Sequence, residues 1–408
     1  MPDNLQHSTH QQLPGPSLIR SWDTIIAGAG PAGSYAAIRL AELGHTVLLI
    51  DKERFPRDKT CGDALIADSI RCLEQVGLLE EVEKLGWRSD LARIFSPSQI
   101  DFEIPGTYIT LKRSILDALI ARRAVEAGAV FVQGKVKDIS FEANGSALLS
   151  IDGFAQPLQA RVGLVATGAN VDLLQKLGMV DHRSPSAIAA RCYVRSKADF
   201  NELLLSYDRS IIPGYAWVFP MGNGEYNLGC GAFPPAKSKM KINLRQMLEV
   251  FLKQFPVARE IMGRVEEVGP VQGARLRCGL KGAAPCARGN VLAIGETIGA
   301  TFPFTGEGIG KAMETGALAA DLIHEALSTG DLSRLRSFPE RLERDLRHRF
   351  LGYQMAEDWL SKAWLNDLLA RRARKSTYIR NSLAGIINET SDPREIFSFK
   401  GIARSFIW

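Results

Sequence analysis

The sequence predicts an α/β protein: a Rossmann-like dinucleotide-binding domain, an inserted β-sheet-rich substrate domain, and a helical C-terminal region. Three observations carry this expectation. A short apolar run, Thr24 to Ala27, feeds directly into Gly28-x-Gly30-x-x-Gly33 and then into a helical pattern from Ser34 to Leu43. Between about 187 and 233 the texture changes from strand–helix alternation to successive strands. From 331 onward the chain is charged and helically periodic.

The opening unit has a mechanical reason at each position. Gly28 permits the tight strand-to-helix turn, Gly30 lets a pyrophosphate approach the backbone, and Gly33 allows close packing of helix on strand. Pro31 and Ala32 begin the helix, whose N-terminal N–H groups and partial positive charge suit phosphate. A second apolar run, Thr46 to Ile50, ends at Asp51, whose carboxylate can accept from an adenosine ribose. The combination points to a bound dinucleotide.

Further elements follow in order. Residues 112–127 carry helical periodicity and stop at Gly128, and Val130–Gln133 reads as the next parallel strand. Residues 135–141 and 147–151 alternate around Asn144-Gly145, a hairpin signature. The run Val162–Ala166 ends in the turn Thr167-Gly168-Ala169-Asn170. Strands are expected at 188–194, 216–220 and 226–232, a helix over 243–264, a buried strand at 290–294, and a long helix over 307–327. Trp359, Trp364 and Trp408 are expected to anchor the tail.

A chain of 408 residues exceeds one small core. The domain boundaries expected are 22–90, 110–185 and 270–330 for the dinucleotide domain and 91–109 with 186–269 for the substrate domain. Residues 331–408 form the helical tail and 1–21 a disordered lead. That lead is polar, with Pro14 and Pro16 and no apolar stretch, which argues against a secretory leader. No run of eighteen apolar residues suggests a transmembrane helix. Six scattered cysteines without metal spacing fit free thiols in a reducing cytoplasm, and no metal is expected. The net charge of +5 is modest, and no motif points to nucleic acid. The basic surplus over 331–380 reads as a solvated helical face or as a peripheral contact with anionic lipid.

A second glycine-rich segment needs a different task, because one dinucleotide needs one phosphate turn. Gly295-Glu296 ends a strand, and Phe302-Pro303-Phe304-Thr305-Gly306-Glu307-Gly308-Ile309 opens the long helix. Helix N-termini stabilise negative charge, so accepting that of a reduced flavin ring would be such a task; a structural tight turn is the other reading.

With these segments in hand, the chain resembles the geranylgeranyl reductase family within the aromatic-hydroxylase-like FAD-dependent superfamily. The resemblance rests on the first glycine turn, on Asp51-Lys52 through Arg57, Lys59 and Cys61-Gly62, on Gly214-Tyr215-x-Trp217-x-Phe219-Pro220, and on the late glycine segments. It spans roughly residues 22–330, with Arg113 matching the arginine that heads a helix beside the flavin. It implies FAD, held at its ADP half by the first turn and Asp51. Gly295-Glu296 would then meet the ribityl and phosphate portion, and Gly306 to Ile309 the ring. Two departures stand out: Gly-Glu replaces the usual Gly-Asp of the late motif, and Thr167-Gly168 replaces the usual Asp-Gly.

Strand alternation puts Tyr215, Trp217 and Phe219 on one face, with Ala216 and Val218 on the other. Three aromatics capped by Pro220 would form either an ordinary core strand or, as the resemblance implies, a substrate wall. The resemblance implies that Arg57, Lys59 and Cys61 fold towards the flavin, where a cation stabilises the reduced anion; otherwise Lys59 is a surface charge and Cys61 a small buried apolar residue.

The resemblance implies reduction of carbon–carbon double bonds in an isoprenoid chain. Tyr215 and Cys61 are the candidate proton donors, and NADPH or a ferredoxin-like protein the expected electron donor. The alternative is a flavin-dependent monooxygenase or halogenase acting on an aromatic or polyketide-like substrate. A third reading is a flavin-binding protein without catalysis. The expected location is the cytoplasm, peripheral to the membrane's inner face. The substrate would be an isoprenoid lipid or prenylated small molecule.

Overall fold

A computed structural model describes residues 21–180, 185–234, 242–280 and 285–404. The lead through residue 20 and Trp408 lie outside the described residues, and Ser21 already belongs to a strand. Strand β1 (Ser21–Ala27) runs into helix α1 (Pro31–Glu42), followed by β2 (Val47–Asp51). Helix α2 (Arg113–Glu126) packs beside α1 and leads to the strand Val130–Gln133.

β1, β2, Val130–Gln133, Leu158–Val165 and Val291–Ala293 pair in parallel and form the centre of the first sheet. β1 and β2 are almost continuously apolar because the sheet is covered on both sides. The expected hairpin, Val136–Phe141 with Ala147–Ile151, pairs onto Leu158–Val165 and closes one edge.

The second sheet is mostly antiparallel. Its centre joins Ala187–Ser196, β3 (Gly214–Gly222) and β4 (Glu225–Ala232). Trp87–Phe95 and Asp101–Thr110 join by way of Leu203–Ser206. Two segments expected in the dinucleotide domain pair here instead: Ala64–Leu65 bonds to Asp101–Thr110, and Gln272–Leu276 to Ala187–Ser196. Backbone pairing outweighs chain position, since each would otherwise leave a row of N–H and C=O groups unmatched.

One face of this sheet buries Ala216, Val218, Leu228 and Cys230 against the segment expected as a single helix over 243–264. That segment is two helices, Leu244–Gln254 and Pro256–Gly263. Pro256 forces Phe255 into an extended conformation and cannot donate to the preceding turn.

The late helix, α3 (Ile309–Thr329), starts after Gly308 and stops at left-handed Gly330. It packs along α1 and against the short helix Ala67–Gln75, with buried Met313, Ala320 and Ile323 facing the core. The tail folds as α4 (Phe338–Leu360), α5 (Ala363–Lys375) and α6 (Thr377–Ile387), the last capped by the Ser376 hydroxyl. Trp359 is half-buried, whereas Trp364 is 61% exposed and anchors nothing. Among the described residues no helix is long and apolar enough to cross a membrane.

Candidate functional site

A cavity of about 1210 Å³ lies between the two sheets and beneath the tail. Single small-molecule sites occupy about 300–1,000 Å³, so the space suits a cofactor and a second ligand together. Its polar end is bordered by residues at or just past the carboxyl ends of all five central parallel strands: Gly28, Asp51, Gly134, Ala166 and Ile294. Ligands bind at that edge of open α/β sheets.

Local geometry at this end is dictated by the glycines. Gly28 has φ +111°, and a side chain there would collide with the Ala166 carbonyl. A side chain at Gly33 would strike the Gly28 carbonyl, so Gly33 serves helix–strand contact and does not border the cavity. Gly30 does border it, and only Arg57 Nη2, at 3.6 Å, would approach an added Cβ. No side chain caps α1, leaving its first N–H groups directed at the space beside Gly30, Pro31 and Ala32. Asp51 accepts from Ala29 N at 2.8 Å and Glu53 N at 3.0 Å, and each oxygen retains a second lone pair. Lys52 sits at the rim beside Glu53. This open backbone cradle, with an acid at the next strand end, fits the ADP half of FAD.

Arg113 is buried, and its guanidinium grips Asp117 through two bonds, of 2.6 and 2.8 Å. Arg57 adds a third contact to Asp117 at 3.0 Å and lies 3.8 Å from Asp51. The Asp117 carboxylate outweighs burial and holds the Arg113 guanidinium firmly charged. The sequence reading missed Asp117, although its four-residue spacing from Arg113 places both on one helix face.

The Lys59–Gly62 segment meets two other parts of the site. Lys59 Nζ donates to Glu296 Oε2 at 3.1 Å, beside Gly168. The longer acid of the Gly-Glu departure thus reaches a lysine from a distant loop. Gly295 itself does not border the cavity; it packs against Ala32. Asn227 on β4 donates to the Cys61 carbonyl and to Asp63 Oδ2, both at 2.8 Å. Tyr193 donates to the same Asp63 oxygen at 2.6 Å. Burial pushes the Asp63 carboxyl up to about 6. Neither Asp63 nor Asn227 stood out in the sequence, because each lacks a motif and acts across more than 160 residues.

Tyr215, Trp217 and Phe219 all face the cavity, with Trp217 lying between its two neighbours at ring separations of 5.9 and 6.2 Å. Trp217 Nε1 donates to Asn227 Oδ1 at 2.9 Å, and Gly62 packs on the Trp217 and Phe219 rings. Pro220 does not border the cavity; its carbonyl accepts from Thr110. The Tyr215 hydroxyl donates to the Thr305 carbonyl, and burial raises it above the usual phenol range. Burial likewise raises the Cys61 thiol. Gly306, Gly308 and Ile309 border the cavity at the start of α3.

Beyond the aromatic strand, the residues that line the apolar end were not anticipated from the sequence. Ala92, Ile94, Phe102, Ile104, Leu203 and Leu205 line it from the second sheet. Tyr353, Leu360, Leu369, Leu383, Ile386 and Phe397 line it from the tail. Two polar contacts dock the tail. Asp367 accepts from Ser96 Oγ, Ser98 Oγ and Ser98 N at 2.7–2.8 Å. Buried Lys311 on α3 meets Glu389 at 2.5 Å, Glu314 at 2.8 Å and Asp68 at 3.3 Å. These three acids converge closely enough for a metal ion, but the Lys311 ammonium stands among them.

Comparison with known proteins agrees with this geometry. Residues 21–148 match the FAD binding domain family model. The chain is 33% identical to menaquinone reductase of Mycobacterium tuberculosis over 338 residues, covering 78% of this chain and 79% of that one. It is 31% identical to digeranylgeranylglycerophospholipid reductase of Methanosarcina mazei, covering 79% and 81% respectively. Among solved structures, a geranylgeranyl bacteriochlorophyll reductase-like protein from Thermoplasma acidophilum shares the fold at TM-score 0.74 and 20% identity, over 95% and 96% of the two chains. The flavin-dependent brominase Bmp2 does so at TM-score 0.75 and 23% identity, over 95% and 98%. Overall similarity of fold therefore does not separate reductase from halogenase. The sequence relationships and the FAD-binding architecture together place the chain in the geranylgeranyl reductase family of FAD-dependent oxidoreductases.

Proposed function

We propose that the protein reduces carbon–carbon double bonds in the isoprenoid chain of a membrane lipid or prenylated small molecule. The observation behind this reading is the continuity of one cavity from a glycine-lined polar end to a long apolar end. The relatives named as reductases of menaquinone and of digeranylgeranylglycerophospholipid support it, since both names denote prenyl-chain lipids.

Bound FAD supplies the hydride. The chain's own residues orient the two ligands and exclude water. Gly28, Gly30, Pro31, Ala32 and Asp51 hold the ADP half, with Gly33 setting the turn and Lys52 at its rim. Lys59, Cys61, Gly62, Arg113, Gly168, Glu296, Gly306, Gly308 and Ile309 surround the remainder, with Gly295 supporting Ala32. Lys59 and Arg113 supply positive charge where the reduced cofactor is anionic. Tyr215, Trp217 and Phe219 press the prenyl chain towards the cofactor, and the tail covers it. NADPH or a ferredoxin-like protein supplies the electrons.

The lipid arrives from a membrane surface. Arg371, Arg374 and Lys375 are exposed on α5 and border a shallow depression with Ile100, Leu368 and Arg372. They supply a salt-sensitive contact with anionic headgroups, consistent with work at the inner face of the membrane.

The test is anaerobic incubation of dithionite-reduced protein with a geranylgeranyl-chain lipid, followed by mass spectrometry. Addition of one H₂ per reduced bond is expected. A monooxygenase or halogenase would instead leave the chain unsaturated and couple oxygen consumption to product, and that outcome overturns the proposal.

A further inference from the structure

Glu307 belongs to the glycine segment that opens α3. It borders the cavity one residue before Gly308, the residue that caps α3. Its backbone carbonyl is fixed by Phe302 N at 2.8 Å. Its Oε2 is enclosed by protein and makes no well-formed hydrogen bond, its nearest polar side-chain neighbour being Thr305. Buried carboxyl oxygens are ordinarily paired, so a poorly paired one on a residue that borders the cavity disfavours the charged form there. The hydroxyls of Tyr108, Tyr207, Tyr215 and Tyr353 lie within electrostatic reach of its carboxyl. Two of these belong to the cavity's aromatic cluster, in which Tyr207 stacks on Phe304 at 5.2 Å.

We infer that the Glu307 carboxyl is the proton donor of the reaction, a role that rests on the proposed reduction of a prenyl chain. The two donors suggested by sequence are less apt. The Tyr215 proton is committed to the Thr305 carbonyl, and the Cys61 thiol is made a weaker acid by burial. Burial first, and then the charges of Asp68 and Glu389, hold the Glu307 carboxyl well above the usual carboxylate range. The protonated carboxyl is thereby favoured over the carboxylate. The conjugate base is not stranded, because Lys311 and the N-terminus of α3 favour the carboxylate once the proton leaves.

The step balances as follows. The π bond of the alkene breaks, one carbon gains hydride from reduced FAD, and the other gains the Glu307 proton. Two C–H bonds form, FAD is left oxidised by two electrons, and Glu307 is left as carboxylate. Water entering on product release returns the proton. The faces of Tyr207, Tyr215 and Trp217 favour the positive charge that develops on the alkene as the proton arrives.

The test has two readouts on the FAD-loaded protein. Infrared difference spectra at neutral pH, without substrate or turnover, compare wild type with Glu307→Gln. A protonated carboxyl band, shifted in D₂O and missing from the variant, is expected. Turnover of a geranylgeranyl-chain lipid under dithionite should fall by at least about 100-fold in Glu307→Gln, the usual scale for losing a general acid. FAD content and the rate of cofactor reduction should stay unchanged. Glu307→Asp, which keeps the acid, should recover part of the activity with a displaced pH profile. An absent carboxyl band, or wild-type turnover in Glu307→Gln, overturns the inference while leaving the reductase reading intact. Wild-type protein that reduces no prenyl chain overturns the reductase reading instead, and the proton-donor role with it.

Discussion

The polar and apolar ends of the cavity are built on different terms. At the polar end, backbone does the shaping: strand ends, an uncapped helix and positions where a side chain does not fit. At the apolar end, side chains from the second sheet and from three tail helices meet without a shared backbone ladder. A polar-end substitution should therefore act on cofactor content in an all-or-none manner. An apolar-end substitution should grade substrate handling while FAD stays bound.

The largest expected effect is at the first turn. Gly28→Ala meets both the left-handed φ and the Ala166 carbonyl, and should cost about 3 kcal/mol or more. Gly30→Ala should leave stability within about 1 kcal/mol, since its Cβ would meet only Arg57 Nη2, at ordinary van der Waals distance. Gly30→Leu should still fold yet be purified colourless. Full FAD occupancy in Gly30→Leu would break the assignment of the polar end.

Trp217→Ala comes next. Truncating a buried aromatic costs on the order of 3–5 kcal/mol, and here it also strips Asn227 Oδ1 of its donor. FAD should remain while turnover falls or chain-length preference shifts, compared at matched folded fraction. Unchanged kinetics on every prenyl chain tested would reduce Tyr215–Phe219 to ordinary core.

Asp63, behind the aromatic wall, gives a pH signature. Its carboxyl rises from 3.8 to about 6 on folding, so the folded chain keeps a proton that the unfolded chain has lost. Stability should therefore fall between about pH 4 and just above 6, by on the order of 2–3 kcal/mol. Denaturant titrations of Asp63→Asn across that range should lack this component. An unaltered pH profile would mean that Asp63 is ionised in the folded protein.

The smallest effect per residue lies on the surface of α5. Neutralising Arg371, Arg372, Arg374 and Lys375 should remove about 1 kcal/mol each of attraction to anionic liposomes, without changing FAD content. Cosedimentation that ignores both salt and these changes would place the membrane contact elsewhere.

Legibility in the sequence follows the same division. The first turn, Asp51 and the late glycines could be read because their geometry is local and glycine-dependent. The alternation of Tyr215, Trp217 and Phe219 identified their common face, since period two is imposed by the strand itself. What joins those parts was not readable. Lys59 finds Glu296 across 237 residues, and Asp367 finds Ser96 across 271. The tail's lining residues look like any buried helical stripe until the second sheet lies opposite them. Pro256 announced the break in the helix expected over 243–264, through a local effect that the periodicity of the flanking turns obscured.

The most direct test of the two-ended cavity is a titration of FAD-loaded protein with a geranylgeranyl-chain lipid, followed through the flavin absorption spectrum. If the ends are continuous, lipid binding displaces water beside the flavin and perturbs its spectrum. Trp217→Ala and a tail variant such as Leu369→Ala should weaken that response at unchanged FAD content. Lipid that binds without perturbing the flavin, or a perturbation indifferent to both substitutions, would contradict the account.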